Sequence, residues 1–443
     1  MDKAEREAIV KRALAFSTAD QTEVIVSASN SALTRFTHGV SNQNVDAVDV
    51  NVSVRAITGG RTGVAAGNRT SHADLEELVR RAIDLAEFAP ADPLQPSLPQ
   101  GGLTAVPDGA YDDATARADA FARAQICDAI LDEAETAGYW CAGYASTSHS
   151  GITIANSSGA LASFDGTDAQ ANVKMIAPDS SGFAEHYSTR AGAVDGRDVG
   201  RRAAHKARES AAPRTVDPGE WTVILEPAAF GELLSYLIRH FSAQSYDEGS
   251  SFCSDGLDRS YFDDSVTIHD DYAHPLSPGM PFDFEAQPKE RLTLVDGGVV
   301  RNIVTDSYYA KKLHRPNTGH ALPAPNAWGP QALNIVVSPG TKTADELIAE
   351  TTQGLLISRF WYIRTVDQRK TIVTGMTRDG TFLIEHGRIT GGVRNLRFNQ
   401  SIVDALGSVS FSKEQHRTGQ YSFSVVVPSA KIERFNFTSA TDF

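Results

Sequence analysis

The chain has 443 residues, of which 41% are apolar and 22% charged, a composition typical of a globular protein with two or three domains. Its formal net charge of −14 repels phosphate groups, so we expect no direct binding to nucleic acid. No apolar run is long enough to span a membrane, and the first residues lack the apolar core of a secretion signal. The three cysteines, Cys127, Cys141 and Cys253, have no metal-binding spacing and fit buried thiols, which together predicts a cytoplasmic protein.

The first 89 residues are predicted to form one α+β region. Helices are predicted over 4–15 and 72–88, the second opened by Ser71 and Asp74 in the pattern of a capping box. Valines on alternate positions between these helices predict half-buried strands, and Gly59-Gly60 supplies a hairpin turn. The predicted strands are 23–28, 47–57 and 63–66.

Residues 90–112 contain prolines at regular intervals and predict an extended linker. After it, residues 113–216 are expected to complete the N-terminal domain with a helix, a strand-rich stretch and a second helix. These segments lie at 113–137, 140–175 and 195–211. The order of the elements indicates an N-terminal α/β domain in which helices accompany an antiparallel sheet.

The pattern changes after residue 217. One strand at 221–225 leads into one helix at 228–244, and the rest of the chain to residue 443 is mostly short strands and turns. Examples of these strands are 291–295, 332–337, 354–357 and 419–427. We therefore expect an α+β protein whose C-terminal domain, 217–443, is a β-rich barrel or sandwich.

The helix at 228–244 has a single apolar face. Its apolar side chains recur at the spacing of about 100° per residue that places them on one stripe. They are Phe230, Leu233, Leu234, Leu237, Ile238 and Phe241. Ser235 and Tyr236 fall off this stripe and His240 lies at its edge, so these polar side chains are candidates for a site.

This helix, with the strand beginning at Trp221, resembles the active-site region of the TldD/TldE (PmbA, modulator of DNA gyrase) metalloprotease family. Active members carry His-Glu-x-x-x-His there, with both histidines on zinc, whereas this chain has Ser235, Tyr236 and His240 at the matching positions. Further resemblances cover nearly the whole chain. They lie at 39–67, 292–309, 317–319, 334–340 and 384–389, while Asp283-Phe284-Glu285-Ala286 departs from the glycine of the family's Asp-x-Glu-Gly.

The residues that differ are those the chemistry needs. A catalytic zinc takes three protein ligands and one water, and a carboxylate accepts the proton of that water. A serine hydroxyl is a poor zinc ligand, and a tyrosine is a poor base at neutral pH. Active members add a distal cysteine, but the corresponding stretch 407–413 has none. Histidines five residues apart also require a distorted helix. Without a metal to reward that distortion, we expect a regular helix here.

The resemblance therefore implies the zinc-less, TldE/PmbA-type subunit of a heterodimer, with no catalytic residue, metal or cofactor of its own. Zinc is expected in a TldD-like partner, and an unfolded peptide is the expected substrate, held as an added β-strand. Two alternatives stay open at this point: a non-enzymatic peptide-binding homodimer, and a peptidase with an unrecognised nucleophile.

Other polar residues favour ordinary structural roles. His240 is expected at the edge of the core with one hydrogen bond, in preference to a relic zinc ligand. The histidine pairs His269/His274 and His314/His320 have spacings that match no standard metal site. The acidic pairs 263–264 and 270–271 lack EF-hand spacing. No Gly-x-Ser-x-Gly elbow or phosphate-binding glycine loop occurs.

Overall fold

A computed structural model describes residues 1–102, 105–420 and 423–441. Three pairs of positions lie outside these ranges: 103–104 of the predicted linker, 421–422 of the predicted strand 419–427, and 442–443 of the predicted C-terminal domain. The first half contains α1 (Lys3–Ala15), β1 (Gln21–Thr37), β2 (Val40–Thr58), β3 (Arg61–Gly67), α2 (His72–Phe88), α3 (Asp113–Ala116), α4 (Ala120–Ala137), β4 (Trp140–Asn156), β5 (Leu161–Ile176), β6 (Ser181–Ser188), a 3-10 turn (Ala191–Ala193) and α5 (Gly196–Glu209).

The six strands of this half form one antiparallel sheet in the order β3-β2-β1-β4-β5-β6. Side chains of one parity face the helices: Val24 pairs with Val54, and Val26 with Val52, and all four are fully buried. They pack with Leu75 and other apolar residues of α1 and α2, while α4 and α5 cover the same face farther along. The alternation of valines in the sequence therefore identified the buried face at Val52 and Val54, whereas Val48, on the same parity of β2, is 72% exposed.

Two glycines let helices approach the two edge strands of this sheet, β3 and β6, closely. A Cβ on Gly63 of β3 would lie 2.1 Å from the backbone oxygen of Ala82 in α2. A Cβ on Gly182 of β6 would lie 2.2 Å from the oxygen of Ala203 in α5. At both edge strands, the helix lies so close to the strand that there is no room for a side chain at the glycine.

Four predictions for this half need correction. The strand predicted at 23–28 runs to Thr37, and the strand predicted at 47–57 begins at Val40. The helix predicted at 113–137 is broken, because the side chain of Asp119 accepts a hydrogen bond from Ala122 N and starts a new helix there. The predicted linker is hydrogen-bonded to the rest of this half: Asp92 N donates to Gly60 O, and the side-chain amide of Asn156 donates to Pro99 O.

The second half contains β7 (Gly219–Leu225), α6 (Pro227–Ile238), a 3-10 turn (Arg239–Phe241), α7 (Ala243–Asp247), β8 (Arg259–Ser260), β9 (Ile268–Asp270), β10 (Leu292–Asp296), β11 (Val299–Val300), α8 (Ser307–Leu313), β12 (Asn334–Val337), α9 (Ala344–Ala349), β13 (Gln353–Asp367), β14 (Ile372–Glu385), β15 (Arg388–Gly392), β16 (Leu396–Ser401), α10 (Ile402–Ala405), β17 (Val409–Gln420) and β18 (Phe423–Ala440). The prediction of mostly short strands is wrong for β13, β14, β17 and β18. Among the described residues, no helix combines the length and the apolar composition that a membrane crossing requires.

Five strands of this half close into a ring, because β14, β13, β7, β18 and β16 pair in succession and β16 pairs again with β14. Four buried phenylalanines from β13, β16 and β18 pack on one another with centroid distances of 4.7 to 5.7 Å. They are Phe360, Phe398, Phe435 and Phe437. The expected α+β class, with a barrel-like C-terminal half, is thus confirmed, and α6 packs against β13, β17 and β18.

Charged side chains join the two halves. The buried carboxylate of Asp379 in β14 lies 2.8 Å from Lys174 Nζ in β5 and 3.2 Å from Arg359 Nε, and it accepts a hydrogen bond from Ser181 Oγ in β6. Arg417 of β17 is likewise paired with Asp168 of β5 across the seam, the contact surface between the two halves. Phe282 of the second half also packs with Ile25 and Ile154 on the face of the first sheet opposite its helices.

Candidate functional site

The helix expected to carry the site is α6. It begins with Pro227 at its first helical position, where a missing N–H costs no hydrogen bond. The predicted apolar stripe is confirmed, since all six of its side chains are buried. The predicted end at 244 is wrong: the α-helix stops at Ile238, and a 3-10 turn at 239–241 precedes α7. The expectation of a regular helix is therefore also wrong at the position of His240.

Ser235 and Tyr236 are both held by backbone carbonyls. The hydroxyl of Ser235 donates to Glu232 O at 2.7 Å, within the same helix. The hydroxyl of Tyr236 donates to Ile363 O of β13 at 2.6 Å, which fixes the helix against the barrel. Both hydroxyls thus have structural partners in the fold.

His240 is buried, with 4% of its surface exposed, and its Nδ1 has no hydrogen-bond partner among the described residues. The expected hydrogen bond is thus not found at this nitrogen. Burial lowers the pKa of the imidazole to about 4, and the charge of Arg239 adds to the shift. The ring lies 5.6 Å from that of Phe252, so at neutral pH His240 is an uncharged member of the core.

The remaining histidines named from the sequence have protein neighbours. His269 Nδ1 is 3.1 Å from Thr293 Oγ1, and His274 Nδ1 accepts a hydrogen bond from Leu276 N. His269 lies in β9, and His314 ends α8 in the left-handed conformation. No group of three or more histidine, cysteine or acidic side chains that could hold a metal occurs within the described ranges.

One arrangement bears on the alternative of an unrecognised nucleophile. His320 Nδ1 is 2.9 Å from Thr318 Oγ1, and its Nε2 is 3.3 Å from a carboxylate oxygen of Asp270. Both His320 and Asp270 have fully buried side chains, and the pKa of Asp270 is lowered by the nearby His320 and Lys289 in spite of burial. The Thr318 hydroxyl already accepts a hydrogen bond from Thr305 N, so the network fastens loops together.

A group of carboxylates at the seam between the halves had no predicted site role. Arg55 of β2 lies 2.9 Å from Glu23 and 3.1 Å from Glu285. Burial raises the pKa of Glu23 to about 7 although Arg55 opposes the shift. Asp283 accepts hydrogen bonds from the backbone nitrogens of Glu285, Gln287 and Ala321, which fixes the loop that carries Glu285.

Three models of one family match the chain in succession. PmbA/TldA metallopeptidase domain 1 matches residues 22–86, the central domain matches 111–211, and the C-terminal domain matches 218–439. The chain belongs to the PmbA/TldD family.

Relatives with PmbA/TldD names agree with this assignment. Metalloprotease PmbA of Escherichia coli O157:H7 is 24% identical over 301 residues. The match covers 64% of this chain and 63% of that protein, so the chain spans less than two thirds of its length. TldE from Thermococcus kodakarensis superposes with a TM-score of 0.88 at 19% identity, over 98% of this chain and 99% of that one. A Thermotoga maritima protein provisionally described as a modulator of a DNA gyrase superposes with a TM-score of 0.88 at 18% identity, over 98% of this chain and 100% of that one. These two structures establish the fold.

The zinc that the PmbA/TldD resemblance implies for active members does not fit the donors of this chain. Ser235 and Tyr236 donate to carbonyls, and His240 is the remaining imidazole of the motif. The stretch expected to supply the distal ligand contains no cysteine, and the ring of its Phe411 lies 5.6 Å from that of Phe230, at the start of α6. Cys253 is near the His240 carbonyl, but burial raises the pKa of its thiol, which disfavours the thiolate that binds metal.

The departure from the PmbA/TldD motif at Ala286 has a visible backbone consequence. Ala286 is buried and has φ of +60°, in the left-handed region that glycine adopts without strain. The family glycine in Asp-x-Glu-Gly thus matches a conformational requirement of this loop, which this chain meets with alanine. The motif's acidic residues, Asp283 and Glu285, were the signal in the sequence that could have identified the carboxylate group at the seam.

Proposed function

We propose that this chain is the zinc-less, non-catalytic subunit of a TldD/TldE-type metalloprotease complex that processes or degrades unfolded peptides in the cytoplasm. The observation that carries the proposal is the state of the active-site helix. Where active members carry a histidine ligand and a glutamate base, Ser235 and Tyr236 bind backbone carbonyls, and His240 is a buried neutral side chain. Such a helix supplies neither a metal-bound hydroxide nor a matched base.

The role left for this subunit is to hold the peptide while a zinc-bearing, TldD-like partner cleaves it. The edge of the first sheet supports that role. Within the described residues, β3 pairs with β2 only over Val52–Thr58, so the outer edge of the preceding part of β2 has free backbone groups. An extended peptide can add to such an edge through main-chain hydrogen bonds that require little side-chain selectivity.

Metal content tests the first part of the proposal. After extensive dialysis, elemental analysis of the purified chain is expected to find no stoichiometric zinc. Zinc at about one ion per chain, lost on the substitution His240→Ala, would show that the site binds metal after all.

Peptide cleavage tests the second part. The chain alone is expected to leave an unfolded substrate such as casein intact, whereas a mixture with the zinc-bearing partner cleaves it and depends on the partner's glutamate. Mass spectrometry of the products, with and without a strong chelator, distinguishes the outcomes. Chelator-sensitive cleavage by this chain alone would contradict the proposal.

Restoring the two missing side chains gives a sharper control. The double variant Ser235→His/Tyr236→Glu is expected to stay inactive alone, because a third ligand is still lacking and two histidines hold catalytic zinc poorly. The substitution also removes the bond from Tyr236 to Ile363, so its folding is checked by circular dichroism. Full activity of this variant would mean that another residue completes the zinc site.

The arrangement of Thr318, His320 and Asp270 makes one alternative testable. If a hydroxyl nucleophile acted there, the chain alone would cleave peptides in the presence of chelator, and Thr318→Val would abolish that cleavage. The other alternative, a peptide-binding homodimer, predicts binding without cleavage and no effect of adding the TldD-like partner.

A further inference from the structure

A cavity of about 570 Å³ lies at the seam between the two halves of the molecule. Its wall includes Leu85 of α2, Arg55 of β2, Glu285, and Asp306 and Tyr309 at the start of α8. The volume lies within the range of roughly 300–1,000 Å³ that is usual for small-ligand sites. Because both halves contribute side chains, the cavity exists only in the folded, assembled chain.

The charges around the cavity do not balance. Arg55 is shared by Glu23 and Glu285, so one guanidinium faces two carboxylates. Asp283, two residues before Glu285, accepts its hydrogen bonds from backbone nitrogens and has no cationic partner in the described part of the chain. Asp306 adds a further carboxylate to the wall. Burial raises the pKa of both Glu23 and Asp283, so the negative charge of the wall comes from Glu285 and Asp306, two carboxylates against the one guanidinium of Arg55.

Asp306 lines this space with a carboxylate that is only partly used in the fold. The residue is 9% exposed, and its Oδ1 caps α8 by accepting a hydrogen bond from Tyr309 N at 2.8 Å. Its other carboxylate oxygen accepts no hydrogen bond from another residue in the described ranges. Burial raises the pKa of this carboxyl to about 6, and the charge of Glu285 adds to the shift. A largely buried carboxylate that lines a cavity can accept charge-assisted hydrogen bonds from a cationic ligand.

Two tyrosines complete the lining. Tyr308 and Tyr309 both face the cavity, with their rings edge to face at 5.3 Å. Aromatic faces attract cations, and the ammonium of Lys312 already lies 5.6 Å from the ring of Tyr309. An ammonium inside the cavity would combine this attraction with charge-assisted hydrogen bonds to carboxylates.

We propose that this cavity binds a protonated amine of a peptide, either its N-terminal ammonium or the side chain of a lysine, with Asp306 as the principal acceptor. The inference rests on the proposed function, because it identifies how the non-catalytic subunit would hold its substrate. The added strand gives affinity without sequence selectivity, and the amine cavity would fix the register of the peptide.

Binding of a short unfolded peptide, labelled at its C-terminal end and followed by fluorescence anisotropy, tests the proposal on the purified full chain. Four versions are compared: one with both cations, one acetylated at the N-terminus, one with norleucine in place of its single lysine, and one with both changes. The version without a cation is expected to bind about tenfold more weakly or worse. Whichever single-cation version keeps its affinity identifies the source of the amine.

Variants locate the site. Asp306→Asn is expected to reduce binding of the cationic peptide about tenfold while keeping the fold, because asparagine is also a good helix cap. Asp119→Asn is the matched control: it is likewise a helix-capping aspartate, but it caps α4 and is exposed away from the cavity. Its affinity is expected to equal that of the parent chain.

A second pair of variants separates charge from shape. Leu85→Lys places a cation at the cavity wall and is expected to weaken binding, whereas Leu85→Glu at the same exposed helix position is expected to maintain or strengthen it. Equal affinity for the four peptides, no binding by any of them, or equal effects of Asp306→Asn and Asp119→Asn would overturn the inference. The proposed function fails by a different result, which is the absence of partner-dependent cleavage.

Discussion

His240 links the candidate site to the stability of the fold. Its pKa is lowered from about 6.5 to about 4 in the folded chain, chiefly by burial. Well above pH 6.5 the side chain is neutral in both the folded and the unfolded states, so its titration does not change the free energy of unfolding. As the pH falls from 6.5 towards 4, the unfolded state gains a proton that the folded state does not, so the free energy of unfolding decreases.

The substitution His240→Leu is therefore expected to make the chain less sensitive to acid. The pKa difference corresponds to about 3 kcal/mol, which the parent should lose relative to the variant between pH 6.5 and 4. Urea denaturation at a series of pH values measures the difference. The raised pKa of Glu23 acts in the opposite direction, but it is common to both proteins and cancels.

His205→Leu is the control for this prediction, because His205 is exposed on α5. It should leave the dependence of stability on pH unchanged. If His205→Leu and His240→Leu shift it equally, burial of His240 is not the cause.

At the level of single residues, sequence reasoning was most successful where the requirement was chemical. The substitution of a zinc ligand and a base by Ser235 and Tyr236 could be identified from the motif alone. The bond of Tyr236 to Ile363 could not, because its acceptor lies on a strand far along the chain. Nor could the missing partner of His240 Nδ1 be foreseen, since it depends on how the 3-10 turn orients the ring.

Among elements, the contact between helix and sheet at Gly182 makes a direct prediction. Gly182→Ala would place a Cβ 2.2 Å from Ala203 O and 2.5 Å from Ala207 N, both backbone atoms of α5. The helix must move, so we expect the free energy of unfolding to fall by about 2–3 kcal/mol. Urea denaturation of both proteins measures the loss.

Gly192→Ala is the matched control. A Cβ at Gly192 meets no atom within 4 Å, and the residue is exposed in the 3-10 turn before α5. Its stability is expected to stay within about 0.5 kcal/mol of the parent. Equal losses in the two variants would mean that the contact with α5 is not the cause, because the effect of alanine on the unfolded chain alone favours folding.

Elements were predictable to the extent that their signals are local. Ser71 caps α2 as expected, and Gly59 and Gly60 form the hairpin turn with positive φ. The extension of β1 to Thr37 was missed because its small polar residues have little strand preference. That stretch is a strand because β2 and β4 pair with it on both sides, which is a tertiary effect.

For the whole molecule, the buried carboxylate of Asp379 is a charged link between the halves. Asp379→Asn would remove the carboxylate shared by Lys174 and Arg359 and leave Glu185 as the acidic neighbour of Arg359, so we expect a loss of about 3 kcal/mol. Asparagine tolerates the φ of +54° at this position, so the backbone is preserved. Chemical denaturation measures the loss, and adding Lys174→Met should restore part of it.

Asp84→Asn provides the comparison for this variant. Asp84 pairs with Arg80 on the exposed face of α2, where an ion pair contributes at most about 1 kcal/mol. A loss as large as that of Asp379→Asn would refute the idea that burial at the seam gives the link its strength.

Assembly is the second prediction at this scale. We expect a dimer, with the TldD-like partner or with a second copy, that buries roughly 2,000 Å² or more. Trp361, Tyr362 and Val366 of β13 are 45%, 61% and 58% exposed, and large apolar side chains exposed together mark interaction surfaces. Light scattering should show a dimer for the parent, and Trp361→Ser/Val366→Ser should weaken it.

Phe88→Ser is the control for the dimer variants. Phe88 is 86% exposed at the end of α2, in the other half of the molecule, and its loss should leave the dimer intact. A parent that remains monomeric at micromolar concentrations, even with the partner added, would rule out the predicted assembly.

The closure of the barrel also determines when a nascent chain can fold. Its first strand, β7, pairs with β13 and with β18, so the ring cannot close until residues as far along as β18 have left the ribosome. Until then the apolar stripe of α6 lacks the surface of β18 against which it packs. The first sheet needs no later strand and can form earlier. We therefore expect the interval between these two events to be the period of greatest dependence on chaperones during synthesis.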